Sequence, residues 1–267
     1  MRVKEISSST NPDFKILSGL LQAKGIRKEG LCLVSGEKVL KDLLSHSTSH
    51  SLTSESPLSG QLLFTAKSQG LAEKWAEEFQ VERGLLLSSE LFLELDVART
   101  KKPLYVSPVP LLPDFEKPKP GLNVFLALSD PSNLGACLRS LKAFSVSQVV
   151  LLKEASHPFL PKVTRSASGV NFQSPLAKGP SIGDLEILSG QDSFFHLDME
   201  GESLEDFSWP ETACLLLGEE GKGIPLTLKE SSKGLKIPMS PDVESLSAPI
   251  AASLAAWEFY KQHRSKS

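Results

Sequence analysis

Short apolar runs alternate with amphipathic stretches along nearly the whole chain. In the first third, Leu31-Cys32-Leu33-Val34, Leu62-Leu63-Phe64-Thr65 and Leu85-Leu86-Leu87 read as strands. Between them lie helical patterns. Ile16, Leu17, Leu20 and Leu21 share one face of a helix that Asn11 or Asp13 can cap. Residues 37–44 predict a second helix. Residues 70–79 predict a third, with Leu71, Trp75 and Phe79 on one stripe, where Trp75 reads as core packing. Ser88 or Ser89 can cap a fourth over 91–95. Residues 46–60 are rich in Ser and Thr and read as a loop.

The alternation resumes further on. Residues 122–128 are a continuous apolar run, as in a strand buried on both faces. Asp130-Pro131-Ser132-Asn133 turns the chain into a helix over 134–144, and Val149-Val150-Leu151-Leu152 is the next strand. A short helix over 161–168 ends at Gly169, and a weak element covers 184–188. Strands follow at 194–197, 213–217 and 235–237, with a short helix from Pro225 and a long one over 247–262. Strands alternating with helices imply an α/β fold with a mostly parallel sheet covered on both faces. Six of the 18 prolines fall between Pro103 and Pro120, where neither helix nor central strand can continue. The division expected is a small α/β domain over 1–106, a Pro-rich linker over 107–121 and a second domain over 122–267.

Composition narrows the class. The chain has 267 residues, 40% hydrophobic and 23% charged, as in soluble globular proteins. No apolar run nears the roughly 18–20 residues that cross a bilayer. The first residues lack the apolar core of a signal peptide. Cys32, Cys137 and Cys214 are too few and scattered for a disulfide framework or a zinc site. A cytoplasmic protein without membrane or metal is expected. His46 and His50 have i,i+4 spacing, but in a serine-rich loop this carries little metal meaning. Net charge is −3, yet residues 1–45 hold eight basic against five acidic side chains. That local excess can meet phosphates, or can be an ordinary solvated face.

Three stretches carry candidate chemistry. Gly218-Glu219-Glu220-Gly221-Lys222-Gly223 follows an apolar strand but is neither a dinucleotide fingerprint nor a P-loop. Its adjacent carboxylates repel pyrophosphate and suit a ligand without phosphates, such as S-adenosylmethionine. A plain glycine turn is the alternative. In Asn133-x-Gly135-x-x-x-Arg139, Asn133 can cap the helix, and Arg139 is set off the packing face formed by Leu134, Leu138 and Leu141, free for a ligand or a salt bridge. Ser245-Leu246-Ser247 opens the last helix, with Pro249 tolerated in its first turn. Leu246, Ile250, Leu254 and Trp257 form one stripe there, fitting core packing or a subunit interface.

Taken in order, these stretches resemble the SpoU (TrmH) family of RNA 2′-O-ribose methyltransferases. The motifs are Asp130-Pro131-Ser132-Asn133-Leu134-Gly135-Ala136-Cys137-Leu138-Arg139, then Leu217 through Gly223, then Ile237-Pro238-Met239 with Glu244-Ser245-Leu246. The match covers about residues 122–262. More weakly, Arg27-Lys28-Glu29-Gly30 through Gly36-Glu37-Lys38-Val39 resembles the family's small substrate-binding domain. The resemblance implies a C-terminal SPOUT-type α/β-knot, a deep trefoil knot, and a homodimer with active sites near the interface. It implies S-adenosylmethionine as methyl donor, held around Gly218, Ile237, Met239 and Leu246. Arg139, Glu220, Asn133 and Ser245 match its catalytic positions, and Arg27 and Lys28 are expected to face RNA, rRNA ahead of tRNA. Two positions depart from the pattern: Ser247 stands where the family has Asn, and Glu219 where a small or amide residue is usual. They leave a catalytically silent RNA-binding relative as the alternative function.

Overall fold

The computed structural model describes residues 1–45, 56–187, 193–219 and 221–264. His46, His50, Leu188 and Glu220 lie outside the described residues. The chain forms two compact units: Met1–Leu111 with His157–Phe172, and Leu112–Ser156 with Gln173–Ser267.

The first unit runs β1 (Arg2–Ile6), α1 (Pro12–Gly19), α2 (Ala23–Glu29), β2 (Leu31–Ser35), α3 (Glu37–Ser45), β3 (Gln61–Phe64), α4 (Gln69–Glu78), β4 (Arg83–Leu87), α5 (Ser89–Leu95) and β5 (Leu104–Pro108). Its sheet has the order β1-β4-β3-β5-β2. β1, β4 and β3 are parallel, and β5 runs antiparallel to both β3 and β2. Two strands escape the sequence pattern. β1 is an edge strand with four exposed residues, so it shows no apolar run. β5 lies among prolines, but these bracket it: Leu104 to Ser107 are buried between two strands, and Pro108 ends the pairing. The single helix expected near residue 16 is two helices. Gly25 lies so close to the Gly19 backbone that no side chain fits there, and Gly30, at φ +63°, ends α2. Phe14, Leu17 and Leu20 pack with Leu33, Leu63, Leu85 and Val106 in the core. Trp75 is fully buried.

The second unit begins with β6 (Gly121–Leu126), α6 (Pro131–Ala143) and β7 (Gln148–Leu151). The chain then returns to the first unit as His157–Phe172, which carries α7 (Pro161–Ser166). This segment falls within the span that the sequence assigns to the second domain. α7 packs against β2, with Phe159, Val163 and Ala167 buried. Asn171 Nδ2 donates to the Pro158 carbonyl at 2.9 Å and to Thr164 Oγ1 at 3.0 Å. Gly169 has φ +82°, and a Cβ there would stand 2.7 Å from Val39 Cγ1. Local pattern showed the helix but not which core takes it.

The second unit continues with β8 (Leu176–Lys178), β9 (Phe194–Ser203), β10 (Thr212–Leu217), α8 (Leu226–Glu230), β11 (Lys233–Lys236) and α9 (Ala248–His263). Its six-stranded sheet is β11-β9-β10-β6-β7-β8, parallel throughout. The weak element expected over 184–188 is a 3-10 turn over Ile182–Ile187. β8, three residues long, is too short for periodicity to reveal. Phe125 is flanked by Phe115 and Phe194 at ring separations of 5.1 and 5.5 Å, anchoring the core.

His157 in the return segment gives the first unit a pH dependence. Burial, aided by the Arg27 guanidinium, lowers its pKa from 6.5 to about 4. The unfolded chain therefore takes up a proton near pH 6.5 that the folded unit refuses until about pH 4. Stability is present above pH 6.5 and is lost as pH falls toward 4. We predict that His157→Gln flattens this fall, read by urea unfolding at pH 7.5, 6 and 5. Parallel curves for the two proteins would refute it.

Candidate active site

The sheet topology sets the position of the site. From β6 the chain moves toward β7, whereas from β10 it moves away through α8 to β11 beyond β9. The loops leaving adjacent β6 and β10 thus diverge, opening a crevice at their carboxyl ends. α6 forms one wall. Asp130 is its N-cap, its carboxylate accepting the Ser132 and Asn133 amides at 2.7 and 2.9 Å. Asn133 is therefore inside the first turn, where its side chain is not needed as cap.

The loop after β10 forms the facing wall. Glu219 and Gly223 exchange backbone hydrogen bonds of 3.2 and 2.8 Å, and Gly221 and Gly223 have φ of +89° and +70°. A Cβ on Gly218 would lie 2.3 Å from the Gly223 carbonyl oxygen, so only glycine fits. Lys222 Nζ is 2.9 Å from Glu219 Oε2. The extra acid of this loop is thereby paired.

The third wall arises by return. β11 is the far edge of the sheet, three positions or about 14 Å from β6. Yet α9 packs on α6. The segment between β11 and α9 must therefore cross the carboxyl ends of β9 and β10. A cavity of about 520 Å³ results, lined by Asn133, Gly218, Glu219, Lys229, Ser245 and Leu246, among others. A neighbouring cavity of about 150 Å³ is lined by Leu197, Asp198, Leu235, Ile237, Met239 and Leu246, among others. Leu197, Ser245, Leu246 and Ala251 belong to both. Volumes of this order and these apolar walls with few polar groups suit a small-molecule ligand.

Most of the residues singled out by the sequence converge here. Asn133, Gly218, Ser245 and Leu246 line the larger cavity, and Ile237 and Met239 the smaller. Arg139 is exposed on α6 and lines neither described cavity. Glu220 is outside the described residues. Arg27 and Lys28 are exposed at the end of α2 in the first unit. Ser247 is the N-cap of α9 by backbone geometry, but its side chain makes no capping hydrogen bond. Among the described residues, no three His, Cys, Asp or Glu side chains form a metal-binding group, and no helix is long and apolar enough to cross a membrane.

Sequence reasoning missed Leu197, Asp198 and Lys229. They come from β9 and α8, whose sequences carry no motif. Lys229 Nζ is 2.6 Å from Asp198 Oδ2. That ammonium, with the Glu200 amide, holds the Asp198 carboxyl below its ordinary range. His196, beside them, shares a 2.9 Å hydrogen bond between Nδ1 and Ser232 Oγ, and its Nε2 is 3.7 Å from Asp198 Oδ2. Burial, with the Lys229 ammonium, lowers its pKa and favours the neutral ring, although the Asp198 carboxylate pulls the other way.

Fold and site define a parallel α/β protein with a ligand cavity at its topological switch point. Residues 122–257 match the SpoU rRNA Methylase family, and the chain belongs to that family. It is 32% identical over 259 residues to ribosomal RNA small subunit methyltransferase G 2 of Syntrophobacter fumaroxidans, covering 95% of this chain and 49% of that protein. The chain thus spans about half the length of that relative. It is 28% identical over 148 residues to the 23S rRNA (guanosine-2′-O-)-methyltransferase of Vibrio cholerae, covering 54% of this chain and 60% of the other. Among solved structures, an AdoMet-bound rRNA methyltransferase from Sinorhizobium meliloti superposes with TM-score 0.75 at 19% identity, covering 98% of both chains. That likeness is one of fold.

The close approach at Gly218 yields a prediction. Gly218→Ala must push the Gly223 carbonyl aside, costing about 1–3 kcal/mol as other overpacked sites do, and displaces the cavity wall. Urea unfolding measures the cost. An alanine variant as stable as the parent would contradict the geometry.

Proposed function

We propose that the chain transfers a methyl group from S-adenosylmethionine to a ribose 2′-hydroxyl in structured RNA, with rRNA the favoured substrate. The observation that carries the reading is the convergence of three distant motifs, through Asn133, Gly218 and Ser245-Leu246, on one cavity. The relatives support it by their names: two are rRNA methyltransferases, and one of these is a guanosine-2′-O-methyltransferase. The cavity fits the donor. Its apolar walls suit an adenosine, and Glu219, which would repel a pyrophosphate, tolerates the donor's sulfonium and ammonium. When bound, S-adenosylmethionine supplies an electrophilic methyl group and a neutral thioether leaving group, so no metal is required.

The chain's own residues then have the task of placing a hydroxyl in line with that methyl group. Gly218, Ile237, Met239 and Leu246 hold the donor through backbone and apolar contact. Asn133 and Ser245 line the larger cavity and order the reacting groups by hydrogen bonding. Glu220, matched by motif, belongs to the same set. Arg139 stands outside the walls of its own cavity, which suits a contact to RNA phosphate and ribose rather than to the donor. A guanidinium stays protonated, so its first role is electrostatic orientation. Arg27 and Lys28 offer the first unit a cationic surface for RNA. The reaction belongs to the cytoplasm, where such RNA resides.

A homodimer completes the proposal. On α9, Ala252, Ala255 and Ala256 are buried, whereas Ile250, Leu254 and Trp257 are 52%, 39% and 38% exposed. The apolar stripe therefore faces outward in the single chain. Phe144 and Tyr260 extend it, at ring separations of 5.6 and 6.1 Å from Trp257. A second copy is the occupant that would remove this surface from water.

Two outcomes are expected. Radiolabel from S-adenosylmethionine should enter RNA and survive alkaline hydrolysis in dinucleotides, because a 2′-O-methyl group blocks cleavage. Label in mononucleotides would refute ribose methylation. In that assay Arg139→Ala should lower kcat by about 100-fold or more, and charge reversal at Arg27 and Lys28 should raise the KM for RNA without altering affinity for S-adenosylhomocysteine. Sedimentation should find a particle of twice the 29.0 kDa chain mass. Leu254→Glu with Trp257→Glu should yield single chains. A parent that sediments as a monomer at micromolar concentration would end the dimer proposal.

A further inference from the structure

The charge distribution around the cavity identifies a second kind of contact. Among the described residues lining the larger cavity, Lys229 is the cation and Glu219 the anion. Glu219 belongs to the motif loop, whereas Lys229 belongs to α8 and was outside every motif. Lys229 is held from behind. Its Nζ is 2.6 Å from Asp198 Oδ2, and Asp198 in turn accepts the Glu200 amide at 3.1 Å through Oδ1. Neutral His196, whose Nδ1 shares a hydrogen bond with Ser232 Oγ, lies 3.7 Å from the same Asp198 Oδ2 through Nε2. An ammonium has three N–H donors, and Asp198 takes one. The Lys229 side chain is 40% exposed, so the others remain available where it lines the cavity.

The smaller cavity differs. Apart from Asp198 and Ser245 its lining side chains are apolar. The two spaces thus separate an apolar slot from a compartment with one fixed charge of each sign. A methyl donor has the same division: a flat heteroaromatic base and a zwitterionic amino-acid tail. An α-carboxylate taken out of water needs a positioned donor, and a lysine already fixed by an ion pair loses little freedom in supplying one.

We propose that Lys229 binds the α-carboxylate of the methyl donor's tail, with Asp198 as the positioning residue that aims its ammonium. Glu219 is placed in the same compartment for the α-ammonium. This rests on the reading of the cavity as the S-adenosylmethionine site.

The test compares two ligands by calorimetry on the full-length chain. S-adenosylhomocysteine carries the tail; 5′-methylthioadenosine has the same nucleoside and no tail. Lys229→Gln should weaken S-adenosylhomocysteine about tenfold or more, the loss of a charge-assisted hydrogen bond, while leaving methylthioadenosine within about twofold. Lys229→Arg should retain affinity for both ligands, and guards against a variant that only misfolds. Equal weakening of both ligands by Lys229→Gln would make the residue a shaping element and overturn the proposal. Unchanged affinity for both, with a raised KM for RNA, would assign Lys229 to RNA phosphate and overturn it equally. A parent protein that binds neither ligand would instead refute the reading of the cavity itself.

Discussion

The backbone contact at Gly218 is the constraint on which the site depends. β10 ends at Leu217, and the next residue packs so tightly on the Gly223 carbonyl that a methyl group cannot be added. This closes a short loop over five residues and keeps it at the end of its strand. Because β10 neighbours β6, that loop faces the first turn of α6. A wider turn would fill the crevice with its own side chains. The glycines thus act by absence, leaving backbone amides and carbonyls where a ligand can use them.

The last helix couples this site to whatever lies outside the chain. α9 packs on α6 and buries Ala252, Ala255 and Ala256, and that packing draws the 237–247 segment across the sheet to form the third wall. The same rotation leaves Ile250, Leu254 and Trp257 facing outward. Cavity closure and an exposed apolar face are two results of one helix orientation. A substitution that rotated α9 would disturb both.

Electrostatics refine what geometry permits. Among the described residues, each charge lining the larger cavity has a partner: Glu219 with Lys222, and Lys229 with Asp198. The burial of His196 keeps its ring neutral, so Asp198 is matched by the lysine rather than shared with an imidazolium. Pairing lets one small compartment hold both signs of charge. A polyphosphate would still meet carboxylates there, whereas a zwitterion would find complementary groups. Glu219, which looked from sequence like an added charge beside the donor site, lines the cavity with its carboxylate paired to Lys222.

Much of the architecture was legible in the sequence because its determinants are local. Apolar runs such as 122–128 mark strands by their length, and Gly169 marks a helix end by needing positive φ. The pattern puts the start of α6 three residues late, with Asn133 as cap, because Asp130 and Asn133 are both capping residue types and only the backbone shows which one accepts the first-turn amides. The motif residues Asn133, Gly218 and Ser245 could be named for the same reason, since each sits in a recognisable short pattern. What local pattern does not contain is which surfaces meet. β1 and β5 gave no signal because one is an exposed edge and the other lies between prolines. The return of 157–172 to the first unit packs α7 on β2, more than a hundred residues earlier. Lys229 and Asp198 become a pair only when α8 and β9 pack, and Arg139 lies outside the cavity walls only because of how α6 turns. The sequence by itself determined the elements and the motif chemistry, through short-range stereochemistry and burial. Tertiary structure alone decided the neighbours, because packing joins residues whose separation along the chain carries no periodic trace.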